Sequence, residues 1–370
     1  MTVPRIDVVY RLHVAAGQAE HRARLLAVEQ SIEMPPEAVD DRRVLDQVLA
    51  RVERVEAQAD GTSLARLQLA AETVGDDAGQ LMNMLFGNCS LQPDVELADV
   101  ELPDAMAQRF GGPNLGIDGL RRLTAAVGRP LTCTALKPIG STVAQLAALC
   151  RTFARAGIDV IKDDHGWANQ RSAPFPERVA ACQRAVQDAN SAFGSHTVYA
   201  PSLHGTHVQM RQQVEQARSL GIAVFLIAPM NCGVASLNAL KREHPDVAFI
   251  AHPALAGAGR IAPPLLLGKL FRLFGADAVI FPNHGGRFTY SAACCQAIAR
   301  HNRATWHGLR AALPVPAGGM SVERVAELKS EYGSDCMLLI GGSLLAAGDR
   351  LAERSRAFVA AVARREEVDA

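Results

Sequence analysis

The chain has 370 residues, enough for a barrel-sized domain and a modest second one. Hydrophobic residues make up 49% and charged residues 21%, as in an ordinary globular protein. The formal net charge is zero and no apolar run reaches about 18 residues, which argues against nucleic-acid partners and membrane insertion. The start, Met1-Thr2-Val3-Pro4, lacks the apolar core of a signal peptide. Eight scattered cysteines include no C-x-x-C pair, so a reducing, cytoplasmic setting is expected.

Residues 5–14 alternate like a half-buried strand, 17–30 read as a helix, and 45–57 as an amphipathic stretch. Residues 63–71 alternate again, and 74–86 read as helical. This mixed α+β segment shows no βα repetition. A Pro-rich, acidic stretch over 91–103 leads to Phe110-Gly111-Gly112-Pro113, so the boundary is placed there, giving domains 1–112 and 113–370. From about residue 116, apolar strands are expected at 131–136, 158–162, 197–202, 223–228, 247–251, 278–282, 313–317 and 337–341. Helical patterns fill the intervals: 143–156, 176–190, 207–220, 236–244, 263–274, 292–312 and 321–332, with a last one over 347–365. Eight strands, each followed by a helix, predict a C-terminal (β/α)8 TIM barrel, with an open doubly wound sheet as the alternative.

The chemistry collects at the C-terminal ends of the barrel strands. The first ends in Lys137-Pro138 and the second in Lys162-Asp163-Asp164-His165. Alternation puts Lys162 and Asp164 on one face and Asp163 on the other. An oxygen-rich set of this kind suits magnesium if Lys162 takes up carbon dioxide as a carbamate; a plain ion pair at the barrel mouth is the simpler reading. The fifth strand ends in His252, a candidate ligand or base that is equally consistent with a structural role. His204, after the third, has the weaker case. Gly318-Gly319 and Gly341-Gly342 follow the seventh and eighth strands, where barrels commonly bind phosphate. Such turns can also hold a carboxylate, or simply turn tightly. After the sixth strand, Asn283-His284-Gly285-Gly286-Arg287-Phe288 reads as a mobile lid, with Arg287 able to meet phosphate or carboxylate.

Taken together, Gly128-Arg129-Pro130-Leu131 before Lys137-Pro138, Gly157-Ile158-Asp159 before Lys162-Asp163-Asp164, and the two Gly-Gly loops resemble the large subunit of RuBisCO. The resemblance implies an N-terminal ferredoxin-like domain and a homodimer whose active sites are shared between subunits. Glu29 and Asn88 match the residues one subunit lends to its partner's site. Lys137 matches a catalytic lysine, Lys162 the carbamylated lysine, and Asp164 a metal ligand. His252 matches the fifth-strand histidine, and Gly318, Gly319, Gly341 and Gly342 a phosphate site. Departures are informative too. His165 stands where RuBisCO has a metal-binding glutamate, Pro253 replaces an arginine, and Ala317 a serine. Val279-Ile280-Phe281 replaces a strand-end histidine, and the lid lysine has no match. These changes dismantle the second phosphate grip and imply a RuBisCO-like protein that does not carboxylate a bisphosphate.

Such proteins stabilise an enediolate. The Asp164-His165 pair and the 281–288 motif look most like the decarboxylases of apiose catabolism. The expected reaction is therefore a lyase step, loss of carbon dioxide from 3-oxo-isoapionate 4-phosphate. In that reading Lys162, Asp164 and His165 hold Mg2+, Lys137 protonates the enediolate, and Arg287 or His252 orients the departing carboxylate. The alternatives are an isomerase or enolase of methylthioribose salvage and a non-catalytic sugar-phosphate-binding protein.

Overall fold

The computed structural model describes residues 3–364. It forms two compact units. The first comprises the chain up to Gly111 together with Leu255–Leu266 and Trp306–Leu309; the second holds Gly112–Ala254, Leu267–Thr305 and the chain from Arg310 onward.

The first unit carries an antiparallel sheet of β1 (Arg5–Leu12), β2 (Arg51–Ala57), β3 (Ser63–Ala70) and β4 (Val95–Glu101), in the order β2-β3-β1-β4. Helices Ala19–Glu29 and Ala78–Phe86 complete the βαββαβ succession of a ferredoxin-like fold. The buried face of β1 is set by alternation: Ile6, Val8, Tyr10 and Leu12 are fully buried, and Ile6 and Val8 pair with Leu69 and Leu67 of β3. Tyr10 places its ring in this core and donates its hydroxyl hydrogen to Leu85 O at 2.6 Å. Two strands were not assigned from the sequence: the amphipathic 45–57 stretch is a short π-helical turn, Val44–Val48, followed by β2, and the acidic 91–103 stretch contains β4.

The second unit is an eight-stranded parallel barrel. Its strands are β5 (Leu131–Leu136), β6 (Val160–Asp163), β7 (Val198–Ala200), β8 (Val224–Ile227), β9 (Ala248–Ala251), β10 (Ala278–Pro282), β11 (Leu313–Ala317) and β12 (Met337–Leu339). Two four-stranded ladders run β12-β5-β6-β7 and β11-β10-β9-β8. A Ser202–Leu226 bridge joins β7 to β8, and β11 packs on β12. Local signals place the helices between them. Thr142 with Gln145 and Thr206 with Gln209 form capping boxes that start helices Val143–Arg155 and His207–Ser219. Among the described residues no helix is long and apolar enough to cross a membrane. The eight cysteines are free.

The barrel interior is filled by alternate residues of each strand: Leu131 and Cys133, Val160, Ala248 and Ile250, Leu313 and Val315, Met337 and Leu339 among them. Continuing each series in steps of two leads out of the core at Lys137, Lys162 and Asp164, His252, Ala317 and Gly341. The packing that fills the barrel therefore decides which side chains reach its C-terminal mouth.

Candidate active site

β5 and β6 pair with Ala135 opposite Lys162 and Leu136 opposite Asp163, so the next residues, Lys137 and Asp164, leave the sheet side by side. Lys137 Nζ forms an ion pair with Asp164 Oδ2. His165 Nδ1 is 3.3 Å from Asp164 Oδ1, and the His165 ring stacks on His252 with centroids 4.0 Å apart and planes 11° from parallel. Lys162 lies beneath, 3% exposed, with its Nζ donating to Asp163 O at 3.0 Å. Lys137, Lys162, Asp164, His165 and His252 thus form one cluster.

Their charges are unequal. Against the penalty of burial, the contacts to His165 and Lys137 and the nearby Lys162 hold the Asp164 carboxyl well below the usual carboxylate range. Burial lowers Lys162, more than the neighbouring carboxylates restore. Burial, with the charges of Lys162 and His165, pushes His252 down to about 2, so this imidazole is neutral. As drawn, one carboxylate and two imidazoles sit beside two amines, a poor set for a divalent cation. Conversion of one amine to a carbamate reverses that balance. Lys162, whose surroundings favour the neutral amine a carbamate forms from, is the one suited to it. Carbamate oxygen, carboxylate and imidazole together fit a hard divalent ion.

Gly341 borders the same cluster: a Cβ built on it would lie 4.0 Å from Lys137 Cε. Ser343 Oγ donates to Met320 O at 2.9 Å and ties the two glycine turns together. Gly318 and Gly319 have φ of +88° and +85°, and the loop after β10 lies directly on them. The Arg287 N–H donates to Gly318 O at 3.2 Å, and a Cβ on Gly319 would meet Arg287 N at 2.9 Å. The glycines are required by this contact between loops whatever the turn binds. His284 anchors the same loop through Glu331, 2.7 Å away.

The remaining candidates lie elsewhere. Arg287 is exposed, with its guanidinium over the Phe288 ring at 5.3 Å, and makes no contact with the cluster. His204 is turned to Ser202 O at 3.3 Å and to the edge of Phe175. Glu29 and Asn88 belong to the first unit, where Asn88 Nδ2 donates to Glu29 Oε1 at 3.0 Å on an exposed face.

The residues that brace the cluster carry no sequence motif. Asp163, on the opposite face of β6, is fully buried and accepts from Arg178 Nε (3.2 Å), Tyr199 Oη (2.7 Å) and the Ser202 N–H (3.1 Å). Arg178 also donates to Ala168 O and Ala173 O, pinning the loop that follows Asp164. Trp167 Nε1 donates to Leu136 O at 3.0 Å, one residue before Lys137. Arg178 reads as one more polar residue on an amphipathic helix. The available signal was Asp163 itself, a carboxylate forced to the buried face and needing a cation there.

Residues 116–358 match the family model described as ribulose bisphosphate carboxylase large chain, catalytic domain. A protein of Rhodospirillum rubrum named 5-methylthioribulose-1-phosphate isomerase is 53% identical over 97% of this chain and 96% of its own. A Geobacillus thermodenitrificans protein named 2,3-diketo-5-methylthiopentyl-1-phosphate enolase is 33% identical over 77% of this chain and 71% of its own. The crystal structure of a RuBisCO-like protein from Rhodopseudomonas palustris superposes with a TM-score of 0.92 at 48% identity, covering 99% of this chain and 100% of the other. These relatives overturn the decarboxylase reading. They are named as an isomerase and an enolase, so the carboxy-lyase reaction and the link to apiose catabolism are withdrawn, and with them any carboxylate for Arg287 or His252 to orient.

Proposed function

The chain belongs to the ribulose bisphosphate carboxylase large-chain family, and we propose that it is a sugar-phosphate isomerase that moves a proton next to a ketone, with 5-methylthioribulose 1-phosphate as its substrate. The observation that carries this reading is the Lys137–Asp164 ion pair standing beside the buried Lys162 at the mouth of the barrel. The substrate is taken from the name of the 53% identical relative.

Isomerisation of a ketose phosphate needs a proton to leave the carbon beside the carbonyl and return at another carbon of the resulting enediolate. Lys137 is the more exposed of the two amines, 40% at its side chain against a buried Lys162; as the neutral amine it takes the proton from carbon, and as the resulting ammonium it returns that proton at the other carbon. Asp164 keeps the Lys137 ammonium in place through their ion pair. Mg2+ would be held by Lys162 as its carbamate, by Asp164 and by His165, and when bound supplies Lewis-acid polarisation of the substrate carbonyl. Gly318, Gly319, Gly341 and Gly342 offer backbone N–H groups to the single phosphate. The second phosphate of a bisphosphate would have no equivalent grip at Pro253 and Ala317, which suits a substrate ending in a methylthio group. Glu29 and Asn88, already bonded to each other, are offered to the barrel mouth of a second copy, which makes the active unit a cytoplasmic homodimer.

The test is incubation with 5-methylthioribulose 1-phosphate in D2O with Mg2+ and bicarbonate, followed by NMR. An isomeric ketose phosphate with deuterium on carbon and all its carbons retained is expected. Recovery of unlabelled, unchanged substrate rejects the reading. The enolase alternative predicts turnover of 2,3-diketo-5-methylthiopentyl 1-phosphate instead.

A further inference from the structure

One hydrogen bond settles which nitrogen of His252 carries its hydrogen. The backbone N–H of Ala254 lies 3.1 Å from His252 Nδ1. A backbone N–H only donates, so Nδ1 presents its lone pair, and the neutral ring carries its hydrogen on Nε2. The sequence arranges this. Pro253 has no N–H and biases His252 toward extended backbone, and the His252 N–H is already donated to Ile227 O at 2.7 Å, so the next N–H along the chain is that of Ala254. Hydrogen on Nδ1 would set two N–H groups against each other. The ring is also held flat by its stack on His165, at 4.0 Å and 11°. Nδ1 is engaged in that bond, while the ring stacks on His165, which contacts Asp164, itself paired with Lys137.

We propose that His252 serves the reaction as a hydrogen-bond donor, through Nε2–H, to the substrate oxygen on which negative charge develops, and not as the base that removes the proton from carbon. The role rests on the proton-transfer reading above. When a proton leaves the carbon beside a ketone, the bond pair moves toward the carbonyl oxygen. A neutral N–H aimed at that oxygen stabilises the growing charge without giving up its hydrogen. A base at Nε2 would need a lone pair there, and the Ala254 contact has committed the ring's only lone pair to Nδ1. His252 therefore ends the cycle in the tautomer in which it began it.

Neutron diffraction from crystals of the full chain grown in D2O reads the tautomer directly. Deuterium is expected on Nε2, with Nδ1 bare toward the Ala254 N–D; deuterium on Nδ1 overturns the proposal. Two variants read the role. His252→Gln places an amide N–H near where Nε2 stands, whereas the amide of His252→Asn reaches only as far as Nδ1. His252→Asn is expected to lose about 10²–10³-fold in kcat with little change in KM, the cost of one such donor. His252→Gln should stay within roughly tenfold of the wild type. Equal losses in the two variants overturn the donor role. If the wild-type protein exchanges no deuterium into 5-methylthioribulose 1-phosphate, the isomerase reading is what fails, and the neutron result still decides the tautomer.

Discussion

Lys137 and Lys162 are the same side chain placed in opposite surroundings. Lys137 is 40% exposed and paired with a carboxylate; Lys162 is buried and bonded only to a carbonyl oxygen. Their methionine variants should therefore differ. Lys137→Met is expected to keep its fold by circular dichroism and to lose about 10²–10⁴-fold in kcat, the usual range for a lost proton-transfer group. Lys162→Met should abolish turnover while leaving Tm unchanged or higher, because a buried amine is replaced by an apolar chain of similar shape. The Asp164 carboxyl, held below its ordinary value, contributes stability that is fully present above about pH 4 and is lost only as pH falls through its lower folded value. The stability gap between the wild type and Asp164→Asn, measured by urea unfolding, should be flat from about pH 5 to 8 and shrink below about 4. The strand-end lysines and Asp164 were legible because charge directly after an apolar strand has few places to go. The setting of His252 was not, since it depends on a backbone N–H two residues on. Nothing in the sequence context of Arg287 shows that its guanidinium rests on the next residue's ring.

Elements that escaped the sequence pattern share a cause. β2 places its half-buried valines at 52 and 55, and its register with β3 slips between Val52 and Arg54. The slip turns a spacing of two into three, and a three-residue spacing hides the alternation that marks a strand. β4 buries Val95, Leu97 and Val100, and its register with β1 shifts at Val9/Tyr10, so alternation is again broken midway. The barrel strands were legible because each is a short apolar run buried on both faces. Their helices were less so at the C-terminal ends: the one expected over 292–312 stops at Arg303, and Trp306–Leu309 joins the other unit. Two substitutions test how elements are joined. Asp277 is buried at the start of β10 and accepts from the N–H groups of Leu115, Gly116 and Phe249 at 2.6–2.8 Å. Asp277→Asn turns an NH2 toward one of these donors and should cost about 2–3 kcal/mol in urea unfolding. Gly319→Ala sets a Cβ against the 286–288 backbone at a φ of +85°. It should raise KM for 5-methylthioribulose 1-phosphate roughly tenfold, about 1.4 kcal/mol, by shifting the turn proposed to hold the phosphate. An unchanged KM would remove the phosphate from this turn.

At the scale of the whole molecule, the proposed enediolate chemistry does not by itself say which bond breaks. Loss of carbon dioxide and loss of a proton both lead to an enediolate, and the same lysines and carboxylate serve either. That is why a strand-end motif could be read as a decarboxylase, a reaction the names of the relatives overturned. Assembly poses a second question of this scale. If Glu29 and Asn88 act in a partner's site, a chain defective at Asn88 and a chain defective at Lys137 repair each other. In a heterodimer of Asn88→Ala and Lys137→Met chains, one site combines both defects and the other has neither. With random pairing half of the dimers are mixed, so co-expression should restore about a quarter of wild-type activity, while either variant alone is nearly inactive. If each site is built within one chain, every site in the mixture carries one defect and co-expression restores nothing. Tagging the two variants differently and purifying through both tags isolates the heterodimer, in which about half of wild-type activity is expected.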